Sequence, residues 1–309
     1  MDEVEFHREP PSNLPTLVTA FGGWIDAGEA ATGAMRSLVR QLSAVPLASI
    51  DPEDFVDFTQ VRPVVRLTAA GERIIRWPRN AFWTWQPPQG GAGLLLFRGL
   101  EPQRRWRTYA TLLLDVAARC GVQRIVSLGA VLADVPHTRP PCVTGHSTDP
   151  AWQARLEACG MLTRRSRYEG PTGIATIVMD AARQRGMASC NVRGQAPHYL
   201  QRATNPAVSR ALLTAVSRLL DLELDVSPFE AAMRAFRTQC DQAVALGCSG
   251  HRCHDVQFTP PRYIVTYEHG CWVTTAERRQ RGAVCRTCHG PVRYTTYTES
   301  RWQQATTRA

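Results

Sequence analysis

"TLVTAFGGWIDAGEAATGAMRSLVRQL" occupies residues 16–42, and the fold class turns on how it is read. Leu17 to Phe21 is a short apolar run of strand character. Two glycines break it, and Ala30, Ala34, Leu38 and Leu42 then recur at the spacing of one helix face. Asp26 stands where it would cap that helix. A buried strand turning through glycine into an amphipathic helix is the opening unit of a layered α/β protein.

The same alternation continues along the chain. Leu94 to Phe97 reads as a buried strand, "QRRWRTYATLLLDVAARCG" as a helix stopping at Gly121, and Arg124 to Leu128 as the next strand. Helices are predicted over "DPAWQARLEACG", from near Gly173, and across 206–221 and 228–245, with a strand around "ASCNVRG". Strands alternating with helices of this length predict a three-layer α/β/α core around a mostly parallel sheet. "DFTQVRPVVRLTAAGERIIRWP" (57–78) breaks the pattern, since two β-rich runs flank Ala69-Ala70-Gly71, and it reads as an antiparallel hairpin projecting from the sheet.

Composition closes several doors. The 309 residues are 44% hydrophobic, enough for a sizeable core, yet the longest apolar runs fall well short of the roughly 20 residues a membrane span needs. The polar, acidic start lacks the features of a secretory signal, and ten cysteines without an export signal point to reduced thiols, so a cytoplasmic protein is expected. Every basic side chain is arginine, so neither a Schiff-base lysine nor a lysine phosphate loop is available. The formal charge of +9 is concentrated toward the end of the chain. An arginine excess fits a nucleic-acid or other anionic partner, and equally a solvated face.

In an open parallel sheet ligands bind where strands end and loops begin. "VSLGAVLADVPHTRPPCVTGHSTD" (126–149) changes abruptly from apolar to polar, and is expected to line such a crevice. Gly22, Gly23, Trp24 and Asp26 follow the first strand. Glu101, Arg105 and Trp106 follow the strand at Leu94, His137 and Thr138 the next, and His198 a later one. Glu169, Gly170, Thr172 and Gly173 open a helix whose free N–H groups suit an anion. The plainer reading stands beside this: Asp26 and Asp149 cap helices, Trp24 and Trp106 pack, and Arg105 pairs with Glu101. Spacing completes no catalytic set. There is no G-x-S-x-G elbow, Ser147 is a nucleophile without a defined base, Cys142 with His137 or His146 is a conceivable pair, and Asp26 or Glu101 as base with His137 as acid is the best enzymatic combination.

At Gly247 composition shifts to Cys, His, Thr, Tyr and Arg. "CRTCHG" (285–290) has the two-residue spacing by which two thiolates grip a tetrahedral Zn2+, and "CSGHRCHD" (248–255) offers a second half. Cys248, Cys253, Cys285 and Cys288 are the expected structural ligands of a zinc-ribbon-like tail, with Cys271, His251, His254 and His289 as alternatives. A segment this short buries too little apolar surface to stand without a metal or a neighbour. No cofactor is expected in the core.

Several segments together resemble the proteasome assembly chaperone 2 family, in its bacterial, actinobacterial-type branch. They are "AFGGWIDAGEAA" (20–31), "DFTQVRP" with "RIIRWP", "LFRGLEPQRRWRTYA" (96–110), "SLGAVLADVPHTRP" (127–140), "SRYEGPTGI" (166–174) and "APHYL" (196–200). The resemblance implies a phosphorylase- or hydrolase-like α/β/α core, a hairpin used in oligomer contacts and a C-terminal helical lid. The expected organisation is therefore a core over 1–225 with its hairpin insertion near 61–78, a truncated lid over 226–246 and the tail over 247–309. An oligomeric ligand-binding or chaperone-like protein is the leading expectation. A small-molecule hydrolase or phosphorylase and a nucleic-acid-associated protein led by the tail are the rivals.

Overall fold

The computed structural model describes residues 3–163, 168–200 and 203–247, with the strand backbones 265–268 and 271–274. Contacts divide the chain into Met1–Arg234 and Ala235–Ala309, whereas composition changes at Gly247.

The first unit contains β1 (Val4–Phe6), β2 (Thr16–Gly22), α1 (Ala30–Gln41), β3 (Val45–Ile50), β4 (Val64–Leu67), β5 (Arg73–Arg76), β6 (Asn80–Trp85), β7 (Leu94–Leu100) and α2 (Trp106–Arg119). It continues with β8 (Arg124–Ala133), β9 (Val143–Ser147), α3 (Pro150–Ala158), α4 (Ile174–Gln184), β10 (Ala188–Pro197) and α5 (Pro206–Leu219). Beyond these lie α6 (Phe229–Gly247) and the antiparallel pair β11 (Val265–Glu268) and β12 (Cys271–Thr274).

Eight strands form one mixed sheet in the order β1-β3-β6-β7-β2-β8-β10-β9. The central four, β7, β2, β8 and β10, are parallel. The flanks, β6, β3 and β1 on one side and β9 on the other, are antiparallel.

β2 is buried on both faces because helices cover both. Leu17 and Phe21 join Tyr109 and Leu113 of α2 and Ile174 and Val178 of α4, whereas Val18 and Ala20 join Ala30, Ala34 and Leu38 of α1 and Leu212 and Val216 of α5. The expected α/β/α layering is thus what the two clusters describe.

The stretch after β8 differs from its reading as a continuous crevice lining. β8 runs on to Ala133, and "VTGHS" returns as β9, pairing antiparallel with β10 so that Ser147 lies opposite Cys190 and Val143 opposite Gly194. The sheet continues through it because its backbone groups need partners at that edge. Only residues 134–142 remain at the rim, and His146 and Ser147 are carried toward its opposite end.

β4 and β5 form a separate two-stranded sheet closed by a turn in which the Thr68 amide donates to Glu72 O at 2.8 Å and Gly71 sits at φ +82°. Pairing of Val65 with Ile75 and of Val64 with Arg76 fixes which side chains share a face. Among the described residues no helix is long and apolar enough to cross a membrane.

Candidate functional site

The four parallel strands end at Gly22, Leu100, Ala133 and Pro197, and the segments that follow them form one rim. Gly22 lies opposite Leu100, and the Ala130 amide donates to Ile25 O at 2.9 Å, drawing the turn after β2 over β8.

Asp26 is buried on that turn. Its Oδ1 accepts from the Ala31 amide at 2.7 Å and the Thr32 amide at 3.2 Å, and its Oδ2 accepts from the Thr32 hydroxyl at 2.5 Å. The first amides of α1 are therefore answered by the chain's own carboxylate. Burial raises the Asp26 pKa, and Glu29 raises it a little further. The Thr32 hydroxyl and the Thr32 and Ala31 amides pull the other way.

Glu101 ties two loops together. Its backbone amide donates to Gly22 O at 2.8 Å. One carboxylate oxygen accepts from the Trp24 amide at 3.0 Å and the other from the Ile174 amide, the first of α4, also at 3.0 Å. Two glycines make room for it: a Cβ at Gly23, whose φ is +141°, would stand 2.7 Å from Glu101 Cβ, and one at Gly173 would stand 2.8 Å from its Oε1. With both oxygens on backbone amides, Glu101 is placed as a positioning group.

Arg105 departs from its expected pairing with Glu101. It leads into α2 at φ +55°, and its guanidinium bonds Asp54 at 2.7 Å and Glu3 at 2.5 Å while lying 5.3 Å from the Phe55 ring centroid. Trp106 packs against the core beside it, and Trp24 is half exposed. His137 and Thr138 lie in the loop after β8. His198 opens the turn after β10, its Nδ1 3.3 Å from Asp134 Oδ1. Glu169, Gly170 and Thr172 are exposed and Gly173 is buried at the start of α4.

The Ser147 hydroxyl is not set against a base. The Ser147 hydroxyl is buried and donates to Ser189 O at 2.7 Å, while Cys142 is partly buried in the rim loop. Burial pushes the Cys120 thiol up to about 11 and that of Cys190 to about 12, so both stay protonated and inert. The expected zinc ligands Cys248, Cys253, Cys285 and Cys288, with His251, His254 and His289, lie outside the described residues. Of Cys271 only the backbone, in β12, is described.

The rim opens on its α1 side into a cleft of about 680 Å³ that contains Gly22, Gly23 and Asp26, but not Glu101, Arg105, His137 or His198. Its walls carry six arginines: Arg36 on α1, Arg62, Arg66, Arg76 and Arg79 on or beside the hairpin, and Arg98 on β7. These arginines belong to no loop motif and come from three segments far apart in sequence, so neither motif nor segment charge marks them. A signal did exist, for the turn at Thr68–Glu72 sets a register that puts Arg66 and Arg76 on one hairpin face with Val64 and Ile74.

The sequence profile of the PAC2 family matches residues 20–244. A crystal structure of a PAC2 family protein from Streptomyces avermitilis is 36% identical, with a TM-score of 0.66 over 74% of this chain and 95% of that one. A proteasome-assembly chaperone homologue from Mycobacterium tuberculosis is 35% identical, with a TM-score of 0.65 over 74% and 95%. The fold also matches PbaB, an archaeal proteasome activator from Pyrococcus furiosus, at 17% identity and a TM-score of 0.64 over 78% and 97%. A comparison with curated proteins found no match.

Proposed function

The chain belongs to the PAC2 family, and from that premise we propose that it works as an oligomeric assembly factor, binding protein surfaces through the outward face of its β4–β5 hairpin. The observation that carries this reading is the exposed apolar cluster on one face of the hairpin. Val65, Leu67 and Ile75 share one face with Arg73, and the three apolar side chains are 59%, 68% and 61% exposed. A two-stranded ribbon is marginal in water by itself, and contiguous exposed apolar side chains on one are a liability unless a partner covers them.

A second copy of this chain is the partner we assign to that face. The resemblance drawn from sequence implies a hairpin used in self-association, and a hairpin that projects from its own sheet is free to reach a neighbour. The descriptions of the relatives agree in kind, since a proteasome-assembly chaperone homologue and a proteasome activator both concern a protein partner.

Native mass spectrometry of the full chain tests this. The wild type is expected as an oligomer, and Val65→Ser with Ile75→Ser is expected to shift it to monomer with little change in melting temperature. A wild type that is monomeric at micromolar concentration, or a double variant that stays associated, refutes the reading.

A further inference from the structure

The hairpin's inner face raises a separate question of charge. The cleft gathers six arginines against two carboxylates, Asp26 and Glu29, which leaves four positive charges around about 680 Å³. Asp26 is already engaged by two amides and a hydroxyl. Elsewhere this chain pairs its arginines: Arg105 with Glu3 and Asp54, Arg155 with Asp221, Arg183 with Asp180, and Arg185 with Asp115. Among the described residues none of the six cleft guanidinium groups makes a hydrogen bond or an ion pair.

Like charges so gathered repel, and the repulsion is largest where water is scarcest. Arg98 is the half-buried member, its guanidinium 5.9 Å from the Trp83 ring centroid. Its pKa is lowered first by burial and then by Arg36 and Arg79. A fixed cation facing two others without a counter-charge is an arrangement that an entering anion relieves. Guanidinium forks suit phosphoryl oxygens, which they grip bidentately. The cleft also has a planar wall, for Trp77 lines it half exposed, braced edge-on by Phe58 at a centroid distance of 5.0 Å. An aromatic face beside a cationic floor fits a ring joined to phosphates.

We propose that the cleft between the hairpin's inner face, α1 and β7 binds a nucleoside di- or triphosphate, its phosphates among Arg36, Arg98 and Arg79 and its base on Trp77. The volume falls in the range of roughly 300–1,000 Å³ typical of small-molecule sites. It is a recognition site on the opposite hairpin face from the one assigned to self-association, and does not depend on it.

Calorimetric titration of the full chain with ADP, inorganic pyrophosphate and adenosine, at fixed ionic strength, tests the proposal. ADP is expected to bind more tightly than pyrophosphate and adenosine hardly at all. Arg36→Gln with Arg98→Gln should weaken ADP by about tenfold or more through lost charge-assisted bonds, while the unliganded melting temperature holds or rises as repulsion is relieved. Arg79→Gln, at an exposed position beside the hairpin, gives the same reading if the first pair fails to fold. No binding of ADP or pyrophosphate at millimolar concentration overturns the proposal. Equal ADP affinity in the variants, or binding of a single-stranded oligonucleotide by a chain that ignores ADP, overturns it as well. The oligomeric state of the same variants is expected to be unchanged, which separates failure here from failure of the assembly reading.

Discussion

Replacing Glu101 with glutamine preserves volume and removes charge, and the cost can be worked from the geometry of its two hydrogen bonds. The two carboxylate oxygens accept from amides on different loops, Trp24 after β2 and Ile174 at the start of α4. A glutamine offers an oxygen to one amide and must turn its NH2 toward the other, leaving two donors face to face. A charge-assisted hydrogen bond contributes about 1.5–3 kcal/mol, and the low end applies because the Trp24 contact is solvent-exposed and water takes its place. Losing the anion at the first turn of α4 adds about 0.3–1 kcal/mol. The sum is about 2 kcal/mol, which for a unit of this size lowers the melting temperature by about 4–8 °C. Glu101→Ala, which strips both bonds, should cost more. Differential scanning calorimetry reads the total, and amide exchange at Ile174 reads the place, with protection falling there before it falls in β2. A melting temperature within about one degree of wild type, or unchanged protection at Ile174, would refute the positioning role.

Asp26 gives a pH prediction whose sign is set by its raised pKa. The folded chain keeps this proton in a window that opens at 3.8 and closes at the higher folded value, where the unfolded chain has already lost it, so stability falls as pH rises through that window. Asp26→Asn should flatten this part of the curve in urea unfolding between pH about 3.5 and about 7, and an unaltered slope would count against it. Thr32→Val removes the hydroxyl from Oδ2 and should cost about 1.5–3 kcal/mol above the window, measured in the same titration. For the tail we expect about one zinc ion per purified chain, reduced by Cys285→Ser with Cys288→Ser. Elemental analysis that finds a folded chain free of zinc ends that reading.

The parallel centre of the fold was legible because its strands follow a strong pattern, an apolar run passing through glycine into an amphipathic helix. The antiparallel flanks were not. β6 buries Asn80, Phe82 and Thr84 on one face and half-buries Ala81, Trp83 and Trp85 on the other, so neither face is clearly the apolar one and no alternation marks the strand. β3 contains Pro46, which argues against a strand from sequence, and the register shifts between Pro46 and Ala48 to accommodate it. β9 looked like a loop because its residues are small and polar, and what makes it a strand is the free edge of β10.

The rim was legible in part and for a similar reason. Loops that follow strands in sequence locate Gly22, Gly23 and Asp26, but not the direction of a long side chain. Arg105 lies in the same short loop after β7 as Glu101, yet it turns to Glu3 beside β1, a strand whose three residues carry no readable pattern. The cleft arginines come from α1, the hairpin and β7, three elements brought together only by the fold.

The ribbon formed by β4 and β5 is one residue thick, with Arg66 and Arg76 on one side and Val65 and Ile75 on the other. Its two sides cannot be displaced independently. Any shift of these eight residues that a molecule on the guanidinium side imposes would change affinity on the aliphatic side, and by the same factor in both directions; with no such shift the two sides bind independently. The linkage needs no relay through the sheet, because the lever and the load are two sides of one strip of backbone.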